Sequence, residues 1–157
     1  MRTNKISFTS GELKLEGYCY YPDNEKPCPG VVLCHPHPLH GGSMRATVIR
    51  QLGLELTTHN IITMMFNFRG VGRSEGNFGG GIAEQDDVTA ALNWLISQSQ
   101  VNNTKIGVAG YSFGGAVAAP VACRDSRIAA MALISPAIDE SFINELKNCP
   151  KNGRLTA

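Results

Sequence analysis

The feature that most constrains the fold is an alternation of short apolar runs with longer amphipathic runs from Pro29 onward. The short runs have the length and composition of buried strands. They are VVLC (31–34), IITMMF (61–66), KIGVAG (105–110) and IAAMALIS (128–135). Strands that alternate with helices build a mainly parallel sheet with helices on both faces, because crossovers between parallel strands are right-handed. The sequence therefore predicts an α/β fold.

Other patterns predict the remaining elements. A period-two pattern on either side of Ser10-Gly11 predicts an N-terminal β-hairpin. We expect Ser43 to cap the first helix. Its expected buried stripe is Met44, Val48, Ile49, Leu52 and Leu56. A glycine-rich loop, NFRGVGRSEGNFGGG, follows the second apolar run, and a second amphipathic helix starts at Ile82. Further helices are expected over FGGAVAAPVAC and SFINELKN.

Composition narrows the class of protein. With 157 residues, 43% of them hydrophobic and 17% charged, the chain is expected to form a single domain with its own core. A net charge of +1 without a basic run argues against a nucleic-acid partner, and the lack of a long apolar run argues against a membrane span. An odd number of cysteines without CxxC pairs favours reduced thiols and a cytoplasmic location. These are Cys19, Cys28, Cys34, Cys123 and Cys149.

A serine lies between glycines where the third of these strands is expected to end and a helix to begin. The stretch Gly110-Tyr111-Ser112-Phe113-Gly114 matches G-x-S-x-G, the pattern of a nucleophile elbow. Glycines two residues on either side make room for a strained turn that exposes the serine hydroxyl at a helix N-terminus. The alternatives are a glycine-rich turn that is packed closely for structural reasons, or a phosphate-binding turn.

Three further segments occur in a fixed order with GYSFGG: CHPHPLHGGSM (34–44), FNFRGVGRSEG (66–76) and AEQDD. With these four segments the chain resembles the α/β-hydrolase superfamily, especially its small bacterial serine hydrolases without a large lid domain. The resemblance covers nearly the whole chain. It implies hydrolysis of a small ester, thioester or amide-like substrate through a Ser-acid-His triad, with Ser112 as the nucleophile and no cofactor.

The same resemblance implies an oxyanion hole made of two backbone N–H groups. One belongs to the residue after the nucleophile, Phe113, and the other to the loop after the first core strand. Two residues past His35, this second donor is His37; Pro36 has no N–H to donate. A metal cluster of the loop histidines with Cys34 is the alternative, and the prolines favour the oxyanion loop instead, so we expect no metal.

Arg69 is expected to pin the glycine-rich loop through an ion pair with the start of the second helix. Its candidate partners are Asp86 and Asp87, which are scaffold residues in this interpretation. A role for these three charges in binding substrate is the alternative.

The triad is incomplete, because the histidines at 35, 37, 40 and 59 all precede Ser112 and none follows it. The favoured explanation is a hydrolase domain that is incomplete at its C-terminal end, with an open edge at IAAMALIS that makes the isolated chain poorly soluble or oligomeric. A second explanation is a relocated triad, with Asp139 as the acid and His37 or His40 as the base. The third is a non-catalytic binding protein that retains the fold.

Overall fold

The computed structural model describes residues 1–24, 26–137 and 139–149. Six strands form one sheet in the order β1-β2-β4-β3-β5-β6. The strands are β1 (Arg2–Ser10), β2 (Leu13–Tyr21), β3 (Cys28–Cys34), β4 (Ile62–Phe66), β5 (Val101–Tyr111) and β6 (Ile128–Ile134). The helices are α1 (Thr47–Thr58), α2 (Glu84–Ile96), α3 (Phe113–Arg124) and α4 (Glu140–Lys147). The predicted α/β fold is confirmed.

The sheet is parallel from β4 through β3 and β5 to β6, and antiparallel where β2 joins β1 and β4. The predicted N-terminal hairpin is therefore present. Gly17 of β2 has no room for a side chain, since a Cβ there would lie 2.6 Å from the carbonyl oxygen of Met65. Gly17 thus allows β2 of the hairpin to pair closely with β4, the strand at which the parallel part of the sheet begins.

Helices cover both faces of the sheet. On one face, Val88 of α2 and Val117 of α3 pack with Val32 and Met64 in the larger core cluster. On the other face, Ile49 of α1 packs in a smaller cluster with Leu33 and Met65, the residues that follow Val32 and Met64 in their strands. Successive residues of a strand point to opposite faces, which explains how the fully apolar strands β3 and β4 contribute to both clusters.

The predicted start of α1 is wrong. The helix begins at Thr47 after Ala46, and no side chain caps it; the Ser43 hydroxyl accepts a hydrogen bond from the Arg45 N–H instead. The cause is a distant contact, since the side-chain oxygen of Asn67 accepts the Met44 N–H at 2.9 Å and holds this residue outside the helix.

The predicted buried stripe of α1 is confirmed in part. Ile49 is buried, and Leu52 and Leu56 pack against the same cluster as partly buried residues, whereas Val48 is 39% exposed.

The expectation of five reduced cysteines is wrong for one pair. Cys123, near the end of α3, forms a disulfide with Cys149, two residues after α4. Cys19, Cys28 and Cys34 are free and buried. In the part of the chain that the structure describes, no helix is both long and apolar enough to cross a membrane.

Candidate active site

Ser112 forms the turn between β5 and α3, with φ 53° and ψ −120°. This left-handed φ is uncommon for a residue with a side chain and strains the backbone. The turn is held on both sides, because the Ser112 N–H donates to the Ile134 carbonyl at 2.9 Å and its carbonyl accepts the Gly115 N–H at 3.0 Å. The hydroxyl makes no hydrogen bond to any residue within 1–24, 26–137 and 139–149. Ser112 thus has the geometry of a nucleophile elbow.

Two glycines allow this turn to pack tightly. A Cβ on Gly110 would overlap the carbonyl oxygen of Gly114, and a Cβ on Gly114 would overlap the carbonyl oxygen of Cys34. The first clash would separate the strand from the helix. The second would separate the helix N-terminus from the loop that follows β3. Both glycines are therefore required for the elbow to contact this loop.

His35 anchors the loop after β3 from inside the protein. The ring is fully buried, and its Nε2 accepts the Phe68 N–H at 3.1 Å. Nδ1 lies 2.7 Å from the Pro36 carbonyl oxygen, so this nitrogen carries the proton and donates. Burial lowers the pKa of His35 to about 4, against its usual 6.5. His35 is therefore neutral near pH 7, and both of its ring nitrogens are engaged in structural hydrogen bonds.

His37 begins the part of the loop that faces the elbow. Its Nδ1 accepts the Leu39 N–H at 3.2 Å, at the start of a short 3-10 helix, Pro38–His40. The His37 ring centroid lies 4.8 Å from that of Phe113. Neither the backbone N–H of His37 nor that of Phe113 has an acceptor among the residues described. Two free backbone donors thus belong to segments whose side chains are in contact.

An aromatic cluster of His37, Phe68, Phe78 and Phe113 joins three segments around the elbow. The Phe113 ring centroid lies 5.8 Å from that of Phe68 and 5.7 Å from that of Phe78. Phe78 also lies 5.2 Å from His37. The sequence reasoning missed Phe68 and Phe78, and the signal available was two phenylalanines within an otherwise glycine-rich and polar loop. The cluster supplies an apolar wall beside the serine turn.

The glycine-rich loop is pinned at its start by an ion pair. Arg69 Nη2 lies 2.7 Å from Asp87 Oδ1, and the Arg69 backbone N–H donates to the same carboxylate at 3.0 Å. Asp87 is fully buried, and its hydrogen bonds to the Arg69 guanidinium, together with its negative charge, raise the pKa of Arg69. The predicted ion pair is confirmed with Asp87, while Asp86 is exposed.

Two buried polar side chains that the sequence reasoning did not single out fix the rest of the loop. The Glu84 carboxylate accepts the backbone N–H groups of Gly79 and Gly81, each at 2.7 Å. The Asn67 side chain accepts the Met44 N–H, as described above, and the backbone carbonyl of Asn67 accepts a hydrogen bond from the Ser74 hydroxyl at 2.7 Å. The loops after β3 and β4 are therefore connected to each other and to α2.

His59 and the candidate triad acid Asp139 are each engaged elsewhere in the structure. His59 lies at the end of α1 beside Glu55, at the opposite edge of the sheet from the end of β5. The Asp139 carboxylate caps α4 by accepting the Phe142 N–H at 2.8 Å. Across the described ranges, no group of three or more His, Cys, Asp or Glu is placed to hold a metal ion.

A cleft of about 630 Å³ opens between the 3-10 helix and the glycine-rich loop. Leu39 and Val71 contribute apolar surface to it, Asn77 contributes an amide, and Phe78 of the aromatic cluster forms part of its wall. The cleft lies at the carboxyl edge of the parallel strands, where open α/β sheets bind their ligands. One wall of the cleft belongs to the loop after β3 that also carries His37, whereas Ser112 and Phe113 are not part of the cleft lining.

Solved structures with the same fold confirm this architecture. The chain is 34% identical to the protein of unknown function ATU1826 from Agrobacterium tumefaciens, with a TM-score of 0.84 over 96% of this chain and 68% of that one. It is 31% identical to an alpha-beta serine hydrolase homologue from Coxiella burnetii, with a TM-score of 0.85 over 98% and 72% of the two chains.

Sequence relatives lead to the same family. An uncharacterized protein of Rickettsia prowazekii, RP471, is 33% identical over 135 residues, which cover 86% of this chain and 56% of the relative. The uncharacterized protein YcjY of Escherichia coli is 27% identical, over 97% of this chain and 52% of its own length. The chain thus spans about half the length of these relatives. The model of the serine aminopeptidase family, S33, matches residues 29–151. The chain therefore belongs to the S33 serine aminopeptidase family of the α/β-hydrolases.

Proposed function

We propose that this chain carries the nucleophile and the oxyanion hole of a serine hydrolase. Ser112 Oγ attacks the carbonyl carbon of the substrate while a base takes the hydroxyl proton. The carbonyl oxygen becomes an oxyanion, which the N–H groups of Phe113 and His37 stabilise. Collapse of this intermediate expels the leaving group with a proton and leaves an acyl-Ser112 ester, which water then hydrolyses. The observation that carries the proposal is the strained Ser112 turn beside two free backbone donors.

The base and the acid of this site are proposed to come from outside the described residues. His35 has no free ring nitrogen, and Asp139 is engaged in capping α4. His37 accepts the Leu39 N–H through Nδ1. The matched regions cover only 56% and 52% of the two relatives, which leaves room in a longer protein for a histidine and an acid. A triad completed by Asp139 and either His37 or His40 is the competing assignment.

The substrate class proposed is a small ester, thioester or amide-like compound with an apolar acyl group. The aromatic cluster and the apolar residues of the cleft favour burial of such a group. The cleft is not lined by carboxylates, and the one guanidinium in its wall, that of Arg69, is already paired with Asp87. A strongly charged acyl group would therefore find no unpaired opposite charge there.

Labelling with a fluorophosphonate probe tests the nucleophile. Intact mass and peptide mapping are expected to place one probe on Ser112, and the Ser112→Ala variant is expected to take up none. Ser126→Ala, in an exposed turn, is the matched control and should label like the parent chain. Labelling at another residue, or equal labelling of Ser112→Ala, would overturn the assignment.

A non-catalytic binding protein is the second candidate function. One observation favours it, because among the described residues no histidine makes a hydrogen bond to the Ser112 hydroxyl. In that case a correctly folded chain takes up no probe at Ser112 at any concentration. Labelling with added imidazole therefore separates the two candidates, because imidazole can supply the missing base of the hydrolase and leaves the binding protein unlabelled.

A further inference from the structure

A second pocket, of about 340 Å³, lies on the face of the sheet that α1 covers. It is formed by β1, β2, β4, the first turn of α1 and the segment that leads into this helix. Its volume is at the small end of the range for ligand pockets, about 300–1,000 Å³. Its lining consists of Thr3, Tyr18, Tyr20, Met44, Arg45, Arg50 and Met65. No step of the proposed hydrolysis uses these side chains.

The inner part of the pocket is apolar and aromatic. Met44 and Met65 are almost completely buried and form its floor. Tyr18 pairs with Met65 across β2 and β4, and Tyr20 lies two residues further along β2, so both phenol rings point to the same face. Both tyrosines are half-buried. Thioether sulfur and phenol rings make favourable contacts with an aromatic ring, so this part of the pocket suits an aryl group.

The rim of the pocket is positively charged. Arg45 and Arg50 are exposed, and neither guanidinium has an acidic partner in the described part of the chain. The lining contains no carboxylate that would neutralise them. The N-terminus of α1 lies two residues after Arg45 and has no side-chain cap, so the positive end of the helix dipole adds to this charge. The two guanidinium groups therefore complement a dianion.

We propose that this pocket binds a small aromatic phosphomonoester. The aryl ring stacks between the tyrosines over the methionine floor, and the phosphate accepts hydrogen bonds from Arg45 and Arg50 at the rim. Arginine suits this role because its planar donor fork matches phosphate oxygens, and a phosphomonoester near pH 7 carries close to the two negative charges that the rim balances. A long polyanion is disfavoured, because the net charge of the whole chain is only +1.

Calorimetric titration with phenyl phosphate tests the site. The Ser112→Ala background is used, so that the outcome does not depend on the proposed hydrolysis. We expect saturable binding of one phenyl phosphate per chain, weaker binding of inorganic phosphate, and at least a roughly tenfold loss of affinity in Arg45→Gln and in Arg50→Gln. Arg73→Gln removes one exposed positive charge outside the pocket and is the matched control.

Four results would overturn the proposal. One is the absence of saturable binding by a folded protein. Another is an equal loss of affinity in Arg73→Gln, which would mean that only overall charge matters. The third is equal affinity for inorganic phosphate and phenyl phosphate, which would mean that the aryl group makes no contact. The fourth is tighter binding of a short RNA, which is too large for a pocket of this size. Tyr20→Leu provides a further check, because it should weaken phenyl phosphate and leave inorganic phosphate unchanged.

Discussion

Replacing His35 should remove a specific pH dependence from the stability of the fold. The buried ring connects the loops after β3 and β4 only in its neutral form, because Nε2 must accept the Phe68 N–H. Protonation of Nε2 turns an acceptor into a donor that faces another donor. The substitution His35→Gln keeps a polar side chain at this position and removes the titration.

The size of the effect follows from the two pKa values. The pKa of His35 is about 4 in the folded protein, against 6.5 for an unperturbed histidine. Below pH 6.5 the unfolded chain binds a proton that the folded chain does not, so the folded state loses stability as the pH falls toward 4. Each pH unit in this window costs about 1.4 kcal/mol, and the full loss is about 3 kcal/mol. Above pH 6.5 the contribution is complete.

Urea unfolding at about pH 7.5 and about pH 4.5 measures this loss. Carboxylates titrate in the same window in every variant, so the comparison is between variants. The parent chain should lose about 2.5 kcal/mol more than His35→Gln between the two pH values. His59→Gln, at an exposed position at the end of α1, is the control and should behave like the parent. At the higher pH, His35→Gln should be less stable by about 1–3 kcal/mol, because the Phe68 N–H and the Pro36 carbonyl lose their partner.

Equal pH dependence in the parent and in His35→Gln would refute this reasoning. It would mean that His35 is protonated in the folded state near pH 6, and therefore that Nε2 does not accept the Phe68 N–H. A pH dependence that persists in His35→Gln and disappears in His59→Gln would assign the effect to the wrong histidine in this account.

Three further predictions concern the scaffold around the serine. Gly114→Ala should abolish probe labelling of Ser112, because its Cβ overlaps the Cys34 carbonyl and separates the elbow from the loop after β3; normal labelling would contradict this. Asp87→Asn should lower the free energy of unfolding by about 3–5 kcal/mol, since it leaves the Arg69 charge without its buried partner; a loss below about 1 kcal/mol in urea unfolding would contradict this. Asp139→Ala should cost about 1 kcal/mol through the lost cap of α4 and leave the labelling rate unchanged; a large fall in labelling would restore Asp139 as the triad acid.

The strands were predictable because their signal is local. The four apolar runs after Pro29 lie within β3, β4, β5 and β6 or overlap them to within one residue. The runs in β3 and β4 are largely buried on both faces of the sheet, whereas β6, at the sheet edge, leaves Ala129, Ala130 and Ala132 exposed. The serine turn was predictable for a related reason, because the glycines that it needs are close to it in the sequence. The sequence predicted that Arg69 forms an ion pair with an acidic residue at the start of α2. Only the structure identifies this residue as Asp87 and not its exposed neighbour Asp86.

Features that depend on distant contacts were not predictable. The start of α1 is displaced because the side-chain oxygen of Asn67, 23 residues beyond Met44, accepts the Met44 N–H and holds Met44 outside the helix. The aromatic cluster requires three segments to meet at the carboxyl edge of the sheet, and single segments do not reveal which rings come into contact. The disulfide joins Cys123 and Cys149 because α4 packs against α3, which no spacing rule for cysteine pairs indicates.

The central claim is that Ser112 is a nucleophile whose base lies outside the described residues. Probe labelling of the chain with and without added imidazole tests it most directly, because free imidazole can act as the missing base. The account predicts slow labelling of Ser112 that imidazole accelerates in a saturable manner, with no labelling of Ser112→Ala. Fast labelling that imidazole does not change would contradict it by showing that the chain already contains its base, and absence of labelling under both conditions would show that Ser112 is not a nucleophile.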